Sequence, residues 1–250
     1  MTLTKQSALV TGGSRGIGAA TVLALAKAGL DVAFTFRSKQ KRADQVVQEA
    51  SIYGGRVLAL KSDMTNPEDR ADLLQTLSGW TPNLNYLVLN ASGGLEQDLT
   101  QADPDYAVKI NRDAQVAFLS LFLPGMPEGS TVAFITSHWA HLYGQVEQIP
   151  SYEPVARSKH LGEQAIRKIM DETRPPRRLL VVTGDLIEGT ITPKLLERSA
   201  RGLTGQRRDE IGELPTAAEM GQVIVNAMLD PHLESGRTLV VGGALNELLD

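Results

Sequence analysis

The sequence contains no cysteine among its 250 residues. This absence excludes disulfide bonds, thiolate nucleophiles and metal sites ligated by cysteine. An excess of positive charge is also missing, because 25 lysines and arginines face 29 aspartates and glutamates, for a formal net charge of -4. Since proteins bind nucleic acid by neutralising phosphates with lysine and arginine, the composition argues against a nucleic-acid partner.

Long hydrophobic runs are absent as well. Residues 1–6 lack the apolar core of a signal peptide, and no later run approaches the roughly 20 residues that a membrane helix needs. We therefore expect a soluble, cytoplasmic protein with no membrane partner. Because the glycines and prolines are scattered and no internal repeat is present, we predict a single domain over residues 1–250.

The most informative stretch of the chain is glycine-rich and follows the apolar residues 8–10. Glycine lacks a Cβ, so the backbone can turn sharply and a pyrophosphate can approach it closely. The helix-like residues 19–28 come next, and a helix N-terminus offers unpaired N–H groups to an anion. The alternative is an ordinary glycine-rich strand-to-helix turn. The residues expected to bind a dinucleotide here are Gly12, Ser14, Arg15, Gly16, Ile17 and Gly18.

Apolar strand-like runs alternate with helix-like segments along the whole chain. This alternation is typical of a parallel sheet with helices on both faces, so we predict a Rossmann-like, doubly wound α/β domain of about seven strands. Two helices have clear starts, 67–78 after Asn66 and 217–229 after Thr216, where Glu219 completes a capping box. The least regular region, 184–215, is either a substrate loop or lid, or a variable surface connection. The predicted strands are 7–11, 31–36, 56–61, 85–89, 130–136, 179–183 and 237–241.

Polar residues follow several of the predicted strands, where doubly wound sheets bind their ligands. A site for the unphosphorylated dinucleotide places an acidic residue about 20 positions beyond the glycines, but this chain has Arg37 and Ser38 there. The 2′-phosphate of NADPH is the natural partner of Arg37, and Arg15 can reach the same phosphate; alternatively, both arginines simply face water. Asp63 follows the third strand and Asn90-Ala91 the fourth, where each can contact adenine or ribose or cap a turn.

These features together resemble the short-chain dehydrogenase/reductase family. Residues 11–18 are similar to its TGxxxGxG loop, Asp63 to its adenine-side aspartate, and Asn90-Ala91 to part of its NNAG motif. The resemblance implies an NADP(H)-dependent oxidoreductase that acts on a small molecule or an acyl thioester and assembles as a homotetramer or homodimer. Gly184, at the place of the family's proline-glycine pair, and Thr190 are expected to complete the cofactor site.

The resemblance extends to the family's reacting groups, with one departure. Asn111 is similar to the asparagine that supports a proton-relay water, Ser137 to the serine that orients the substrate oxygen, and Lys159 to the lysine that binds the nicotinamide ribose and lowers a tyrosine pKa. The family's proton-donating tyrosine lies four residues before that lysine. Val155 occupies this position and cannot donate a proton.

Tyr152, seven residues before Lys159, is the leading candidate for the missing donor. The Y-x6-K spacing resembles the enoyl-thioester reductase branch of the family. On an ideal helix the change from four to seven residues moves the hydroxyl by about 4.5 Å along the axis. That displacement suits a conjugated thioester, whose oxygen gains charge two atoms beyond the carbon that accepts hydride. We therefore predict reduction of an enoyl thioester in fatty-acid or polyketide metabolism.

Alternatives stay open at this point. Pro150 and Pro154 flank Tyr152, so a helix is expected to begin nearby, with Ser151 as a candidate N-cap, and Tyr152 can also be a tyrosine that merely packs there. Tyr143 is a second candidate donor. With either tyrosine, a carbonyl reductase acting on a 3-oxoacyl or other ketone is the alternative enzyme. A protein that binds NADP(H) as a sensor without turnover is the alternative of another class. We expect no metal, although two histidines lie three residues apart.

Overall fold

A seven-stranded parallel sheet forms the centre of the computed structural model, which describes residues 5–249. The strand order is β3-β2-β1-β4-β5-β6-β7, and the predicted bounds of each strand are correct to within one residue. Residues 1–4 and 250, at the two ends of the predicted domain, lie outside the described residues. The same holds for most of residues 1–6, where the sequence shows no apolar core of a signal peptide. The strands are β1 (Ser7–Val10), β2 (Asp31–Phe36), β3 (Val57–Lys61), β4 (Tyr86–Leu89), β5 (Thr131–Ser137), β6 (Arg178–Gly184) and β7 (Thr238–Val241).

Helices connect the strands and cover both faces of the sheet. No helix in residues 5–249 is both long enough and apolar enough to cross a membrane. A π-helical turn, Lys109–Asp113, separates α5 from α6, and short 3₁₀ turns lie at Leu123–Gly125 and Leu245–Leu248. The α-helices are α1 (Gly16–Lys27), α2 (Gln40–Ser51), α3 (Pro67–Trp80), α4 (Gln97–Ala102), α5 (Tyr106–Val108), α6 (Ala114–Phe122), α7 (His138–His141), α8 (Glu153–Glu172), α9 (Ile191–Ser199), α10 (Leu203–Ile211) and α11 (Ala217–Leu229).

The sheet separates two hydrophobic layers. Helices α1, α2 and α11 bury their apolar faces against one side, with Leu25 and Ile224 fully enclosed. Helices α3, α6 and α8 cover the other side, where Phe118 and Ile166 are fully enclosed. Because both faces are covered, the inner strands are continuously apolar rather than alternating, as expected for a parallel sheet.

Local sequence signals explain several helix boundaries. The Asn66 side chain accepts hydrogen bonds from the backbone at Glu68 and Asp69, and Thr216 and Glu219 form the predicted capping box. The N-cap of α8 differs from the prediction, because the helix begins at Glu153 with Tyr152 in the N-cap position. Ser151 instead accepts a hydrogen bond from Ser199 in α9, at 2.8 Å.

The region predicted as irregular, 184–215, contains two helices, α9 and α10. It runs over the carboxyl ends of the strands. In the sheet, β1 pairs with β2 on one side and with β4 on the other. The connections that follow β1 and β4 therefore run to opposite faces of the sheet, and a crevice opens between them at the carboxyl ends of these strands. The fold therefore places a cleft between the strand ends and the 184–215 segment.

Candidate active site

Several glycines between β1 and the first turn of α1 cannot be replaced by a residue with a side chain. Gly12 and Gly16 have φ of +69° and +55°, which favour glycine. A Cβ on Gly18 would overlap the carbonyl oxygen of Gly12, and a Cβ on Gly13 would lie 2.5 Å from the Phe34 side chain. No side chain caps the N-terminus of α1. The first N–H groups of this helix are therefore free to bind an anion, as a pyrophosphate site requires.

The glycine loop forms one wall of a cleft of about 850 Å³, a volume within the range of known cofactor and ligand pockets. Every residue that the sequence assigned to cofactor binding lines this cleft. The buried hydroxyl oxygens of Ser62 and Thr136 also face it, and neither has a hydrogen-bond partner among residues 5–249. These unpaired atoms and the crowded glycines fit a bound dinucleotide. The predicted residues in the lining are Gly12, Ser14, Arg15, Gly16, Ile17, Gly18, Arg37, Ser38, Asp63, Asn90, Ala91, Lys159, Gly184 and Thr190.

Two of these residues have a structural role as well. The Asn90 side-chain amide donates to the backbone oxygen of Thr11 at 2.9 Å and thereby ties β4 to the glycine loop. Asp63 accepts hydrogen bonds from the backbone and the hydroxyl of Thr65, at 2.9 and 2.6 Å. The first contact fixes the loop and the second caps a turn, which is the alternative that the sequence left open for Asp63.

Several positively charged side chains line the cleft near the carboxyl end of β2. Arg37 donates to the Tyr106 hydroxyl at 2.6 Å, and Arg15 lies 3.9 Å from the Glu96 carboxylate. Arg42, on the first turn of α2, lines the same end of the cleft. Neither Arg42 nor Tyr106 was predicted from the sequence to line the site. Arg42 follows Arg37 closely enough to have been found, but Tyr106 belongs to a segment for which the sequence pattern assigned no element.

The predicted reacting groups meet on the opposite wall. Tyr152 is buried, with 6% of its surface exposed, and its hydroxyl donates to Ser137 Oγ at 3.0 Å. Burial raises the Tyr152 pKa, and the hydrogen bond to Ser137 opposes this shift. Burial lowers the pKa of Lys159 to about 8, and the charge of Glu163 opposes that shift. Ser137, Tyr152 and Lys159 all line the cleft.

Asn111 lies behind these groups, in the π-helical turn. Its Oδ1 accepts hydrogen bonds from Ser92 Oγ at 2.8 Å and from the Gly93 N–H at 3.3 Å. Its Nδ2 donates to the Gly93 carbonyl at 2.9 Å and to Ser158 Oγ at 3.0 Å. The side chain therefore joins α8 to the loop after β4. Asn111 does not line the cleft itself; it borders a narrow gap behind it that Lys159 also borders.

Comparison with known proteins places the chain in a family. A family model described as short chain dehydrogenase matches residues 6–185. The chain belongs to the short-chain dehydrogenase family. The hydroxynaphthalene reductase-like protein Arp2 of Metarhizium robertsii is 31% identical over 160 residues, which are 63% of this chain and 58% of that protein. A 3-oxoacyl-[acyl-carrier-protein] reductase of Synechocystis is 40% identical over 96 residues, 38% of each chain.

Solved structures show the same fold. A short chain dehydrogenase from Burkholderia cenocepacia, in complex with NADP, superposes with a TM-score of 0.81 at 24% identity and covers 96% of this chain and 98% of its own. The doubly wound architecture predicted from the sequence is thus confirmed for this short-chain dehydrogenase. The match to the first of these relatives, Arp2, extends over less than two thirds of that protein's length.

This short-chain dehydrogenase departs from the family pattern at the donor position. Val155 is buried in the wall of the cleft, and a Cβ on Gly94 would lie 3.1 Å from it. Tyr143, the second candidate donor, is not in the cleft lining, and its hydroxyl donates to the Glu153 carboxylate at 2.5 Å. That hydrogen bond raises the Tyr143 pKa. Tyr152 is therefore the tyrosine that the fold brings to Ser137.

The two histidines near the end of β5 point to different partners. His138 is fully buried between the Thr183 hydroxyl, at 2.9 Å, and the Gly243 carbonyl, at 3.0 Å. His141 bonds instead to the Glu163 carboxylate, at 2.9 Å. Within the part of the chain that the structure describes, no group of three or more histidines, aspartates or glutamates could hold a metal ion.

A buried ion pair holds the 184–215 segment in place. Asp185 directly follows β6, and its carboxylate accepts from Arg207 of α10 at 2.7 Å and from the Gly243 N–H at 3.2 Å. Both charged side chains are almost fully buried, at 5% and 0% exposure for arginine and aspartate. Arg207 also lies over the ring of Trp139, 5.9 Å from its centroid. Neither Asp185 nor Arg207 was predicted from the sequence, because 22 positions separate them and no local pattern links them.

Proposed function

We propose that this short-chain dehydrogenase reduces a carbonyl compound with NADPH, using Tyr152 as the proton donor and Ser137 as the second hydroxyl on the substrate oxygen. One observation carries the proposal, namely the 3.0 Å hydrogen bond between the two hydroxyls in the cleft. The sequence favoured an enoyl thioester as substrate, because an ideal helix would displace the tyrosine hydroxyl. The geometry at the N-cap shifts the balance toward a carbonyl.

Tyr152 is not part of an ideal helix. It is the N-cap residue of α8, with φ -102° and ψ -14°, and the displacement of about 4.5 Å along a helix axis does not apply to it. Its hydroxyl instead lies beside Ser137, the residue whose family counterpart orients the substrate oxygen. When a carbonyl oxygen enters beside them, the Tyr152 hydroxyl can turn its proton from Ser137 to that oxygen. The oxygen then accepts hydrogen bonds from both hydroxyls, which is the arrangement needed when it receives a proton.

The hydrogen-bond pattern leaves Ser137 able to donate. Its Oγ accepts from the Tyr152 hydroxyl and from the Ala140 N–H at 3.3 Å, so its own proton is free for a substrate oxygen. A nicotinamide cofactor held along the glycine loop would supply the hydride to the carbonyl carbon. Tyr152 gives its proton to the oxygen, and the ammonium of Lys159 stabilises the tyrosinate that remains. With a pKa of about 8, Lys159 is mostly charged at neutral pH.

The preference for NADPH is supported by the charges at the β2 end of the cleft. Arg15, Arg37, Lys39 and Arg42 line it, and the residues that directly follow β2 contain no carboxylate. Guanidinium groups bind phosphate with two hydrogen bonds at once, so this arrangement suits the 2′-phosphate. The NADP-bound structure from Burkholderia supports this choice.

An enoyl thioester is the second candidate substrate, because the spacing of seven residues between Tyr152 and Lys159 matches the enoyl-reductase branch. In that reaction the same two hydroxyls would stabilise an enolate oxygen rather than protonate an alkoxide. The two candidates differ in the carbon that accepts hydride, which lies next to the oxygen in one case and two atoms further away in the other.

The test compares NADPH oxidation by the purified protein with a 3-oxoacyl thioester and an enoyl thioester of equal chain length. We expect turnover of the ketone, and a loss of about 10²- to 10⁴-fold in kcat in Tyr152→Phe, because a general acid contributes about that much. Tyr143→Phe is the matched control, since it removes a tyrosine hydroxyl outside the cleft and should leave kcat within about twofold.

Other outcomes have definite meanings. Turnover of the enoyl substrate alone would contradict the carbonyl proposal and favour the second candidate. Tight NADPH binding in calorimetry, with no turnover over a broad panel of ketones and enoyl thioesters, would indicate a cofactor sensor. Equal activity of Tyr152→Phe and the native protein would remove Tyr152 from the chemistry, leaving it as a packing residue at the start of α8.

A further inference from the structure

Gln115 is a buried polar residue with one atom unpaired. It lies in the first turn of α6 and is 2% exposed. Its Nε2 donates to the backbone oxygens of Ala91, at 2.6 Å, and Ile110, at 3.2 Å. Carbonyl oxygens only accept, so the amide must turn its NH₂ group toward them and its oxygen away. That oxygen, Oε1, has no hydrogen-bond partner among residues 5–249.

The unpaired oxygen has a candidate donor across a narrow space, which we term the inner gap. The inner gap lies behind the cleft, is walled by Leu89 and Phe134, and is bordered by Gln115, Asn111 and Lys159. Lys159 borders both the inner gap and the cleft. Within the described part of the chain, its ammonium makes no hydrogen bond or ion pair. The buried oxygen of Gln115 therefore lacks a donor, the Lys159 ammonium lacks a protein acceptor, and both residues border one space. Leaving the buried oxygen unpaired costs about 1–3 kcal/mol.

The other polar residue of the inner gap cannot fill this role with its side chain. Both oxygen and nitrogen of the Asn111 amide are occupied, by the loop after β4 and by Ser158. The backbone oxygen of Asn111 packs directly against α8 at Gly162, where a Cβ would overlap it. The amide oxygen of Gln115 is thus the side-chain acceptor left for Lys159 on this side.

We propose that Gln115 is a positioning residue for Lys159, whose ammonium donates directly to Oε1 across the inner gap, since the gap is too narrow for a bridging water. This contact would keep the ammonium charged and fix its place at the inner wall of the cleft. The inference rests on the proposed function, because it assigns Gln115 its effect through the role of Lys159 in proton transfer. No motif of the sequence pointed to Gln115.

The first test is the pH dependence of kcat/KM in Gln115→Met, which preserves the length of the side chain and removes the acceptor. A hydrogen bond to the ammonium favours the charged form, so its loss should move the basic limb to lower pH by roughly one unit. We also expect kcat to fall at least about tenfold with KM nearly unchanged. The charged group that acts on Lys159 stays in place, namely Glu163, which is held by His141 and Arg167.

A second variant tests the sign of the effect. Gln115→Glu retains an acceptor oxygen and adds negative charge, so the basic limb should move to higher pH. Phe118→Leu is the control for packing, because Phe118 is fully buried on the same helix and does not border the inner gap. It should lower the melting temperature without moving the limb.

The titration of Lys159 in protein carrying ¹³C-labelled lysine gives a readout that needs no turnover. The lysine signal that titrates near pH 8 should be missing from Lys159→Met and should move to lower pH in Gln115→Met. If Gln115→Met lowers the melting temperature as Phe118→Leu does, while the limb and the lysine titration stay in place, Gln115 only packs and the proposal is wrong. Absence of turnover in the native protein would contradict the proposed function but leave this titration decisive.

Discussion

Replacing Lys159 by methionine should stabilise the protein while removing its activity. The Lys159 side chain is 8% exposed, and burial lowers the pKa of its ammonium from 10.5 to about 8. Each pKa unit corresponds to about 1.4 kcal/mol, so keeping this ammonium charged in the fold at pH 7 costs about 3 kcal/mol. Methionine has a similar length and no charge, and it fills irregular apolar space well. We therefore expect the free energy of unfolding at pH 7 to rise by up to about 3 kcal/mol.

The pH dependence of this difference identifies its cause. Between about pH 8 and 10.5 the unfolded chain holds a proton on Lys159 that the folded protein has released. The stability of the native protein must then rise with pH across this window, at up to about 1.4 kcal/mol per pH unit. Lys159→Met lacks the titrating ammonium, so this contribution to the free energy of unfolding does not rise with pH in the variant. Its advantage should be complete below pH 8 and should mostly disappear by pH 10.

The assay is urea denaturation of both proteins at pH 7 and pH 10, at constant ionic strength. Lys168→Met is the control, since Lys168 is exposed on the same helix and its replacement should produce no pH-dependent difference. A stability difference for Lys159→Met that stays constant from pH 7 to 10 would refute the reasoning, because it would mean that folding leaves the lysine pKa unchanged. Loss of NADPH-dependent turnover in the same variant would show that lysine at this position supports activity at the cost of stability.

Three further predictions concern the cofactor site and the lid. Arg37→Ala should raise the Kd for NADPH by about 10- to 100-fold, the value of a charge-assisted hydrogen bond, and leave the Kd for NADH nearly unchanged in calorimetry; equal weakening of both would exclude phosphate binding. Asp185→Ala should lower the free energy of unfolding by up to about 3 kcal/mol, because buried Arg207 keeps only its exposed partner Glu210, and combining it with Arg207→Met should recover part of the loss. Gly18→Ala should abolish cofactor binding through overlap with the glycine loop, whereas Gly205→Ala, in open space within α10, should be neutral or stabilise by up to about 1 kcal/mol.

Much of the fold could be predicted because its signals are local. A strand buried on both faces is a short apolar run, and each of the runs predicted as strands between residues 7 and 241 corresponds to one strand of the sheet. Helix starts were equally legible where a capping residue precedes the helix, as at Asn66 and Thr216. The glycine loop was recognisable because the spacing of its glycines follows from close backbone contacts within the loop, such as that between Gly12 and Gly18.

The remaining features depend on contacts between distant parts of the chain. Arg207 and Asp185 form a pair that only the packing of α10 on β6 creates. Gln115 belongs to no sequence motif. Its proposed role depends on the two backbone carbonyls that orient its amide, which only the folded structure brings close to it. The Tyr152 hydroxyl was assigned by ideal helical spacing, which fails at an N-cap. Its distance from Ser137 follows from the course of the loop between them.

The ion pair between Arg207 and Asp185 has a consequence for the size of molecule that can enter the cleft. It fastens α10 to the end of β6, whereas α9 lies between Gly189 and Gly202, whose φ values of +80° and +86° place both in the left-handed region. Glycine reorients readily, so we expect widening of the entrance to be a rotation of α9 about these two residues. For the proposed reduction, discrimination between small and large substrates then becomes a property of one nine-residue helix, which can be exchanged without touching Ser137, Tyr152 or Lys159.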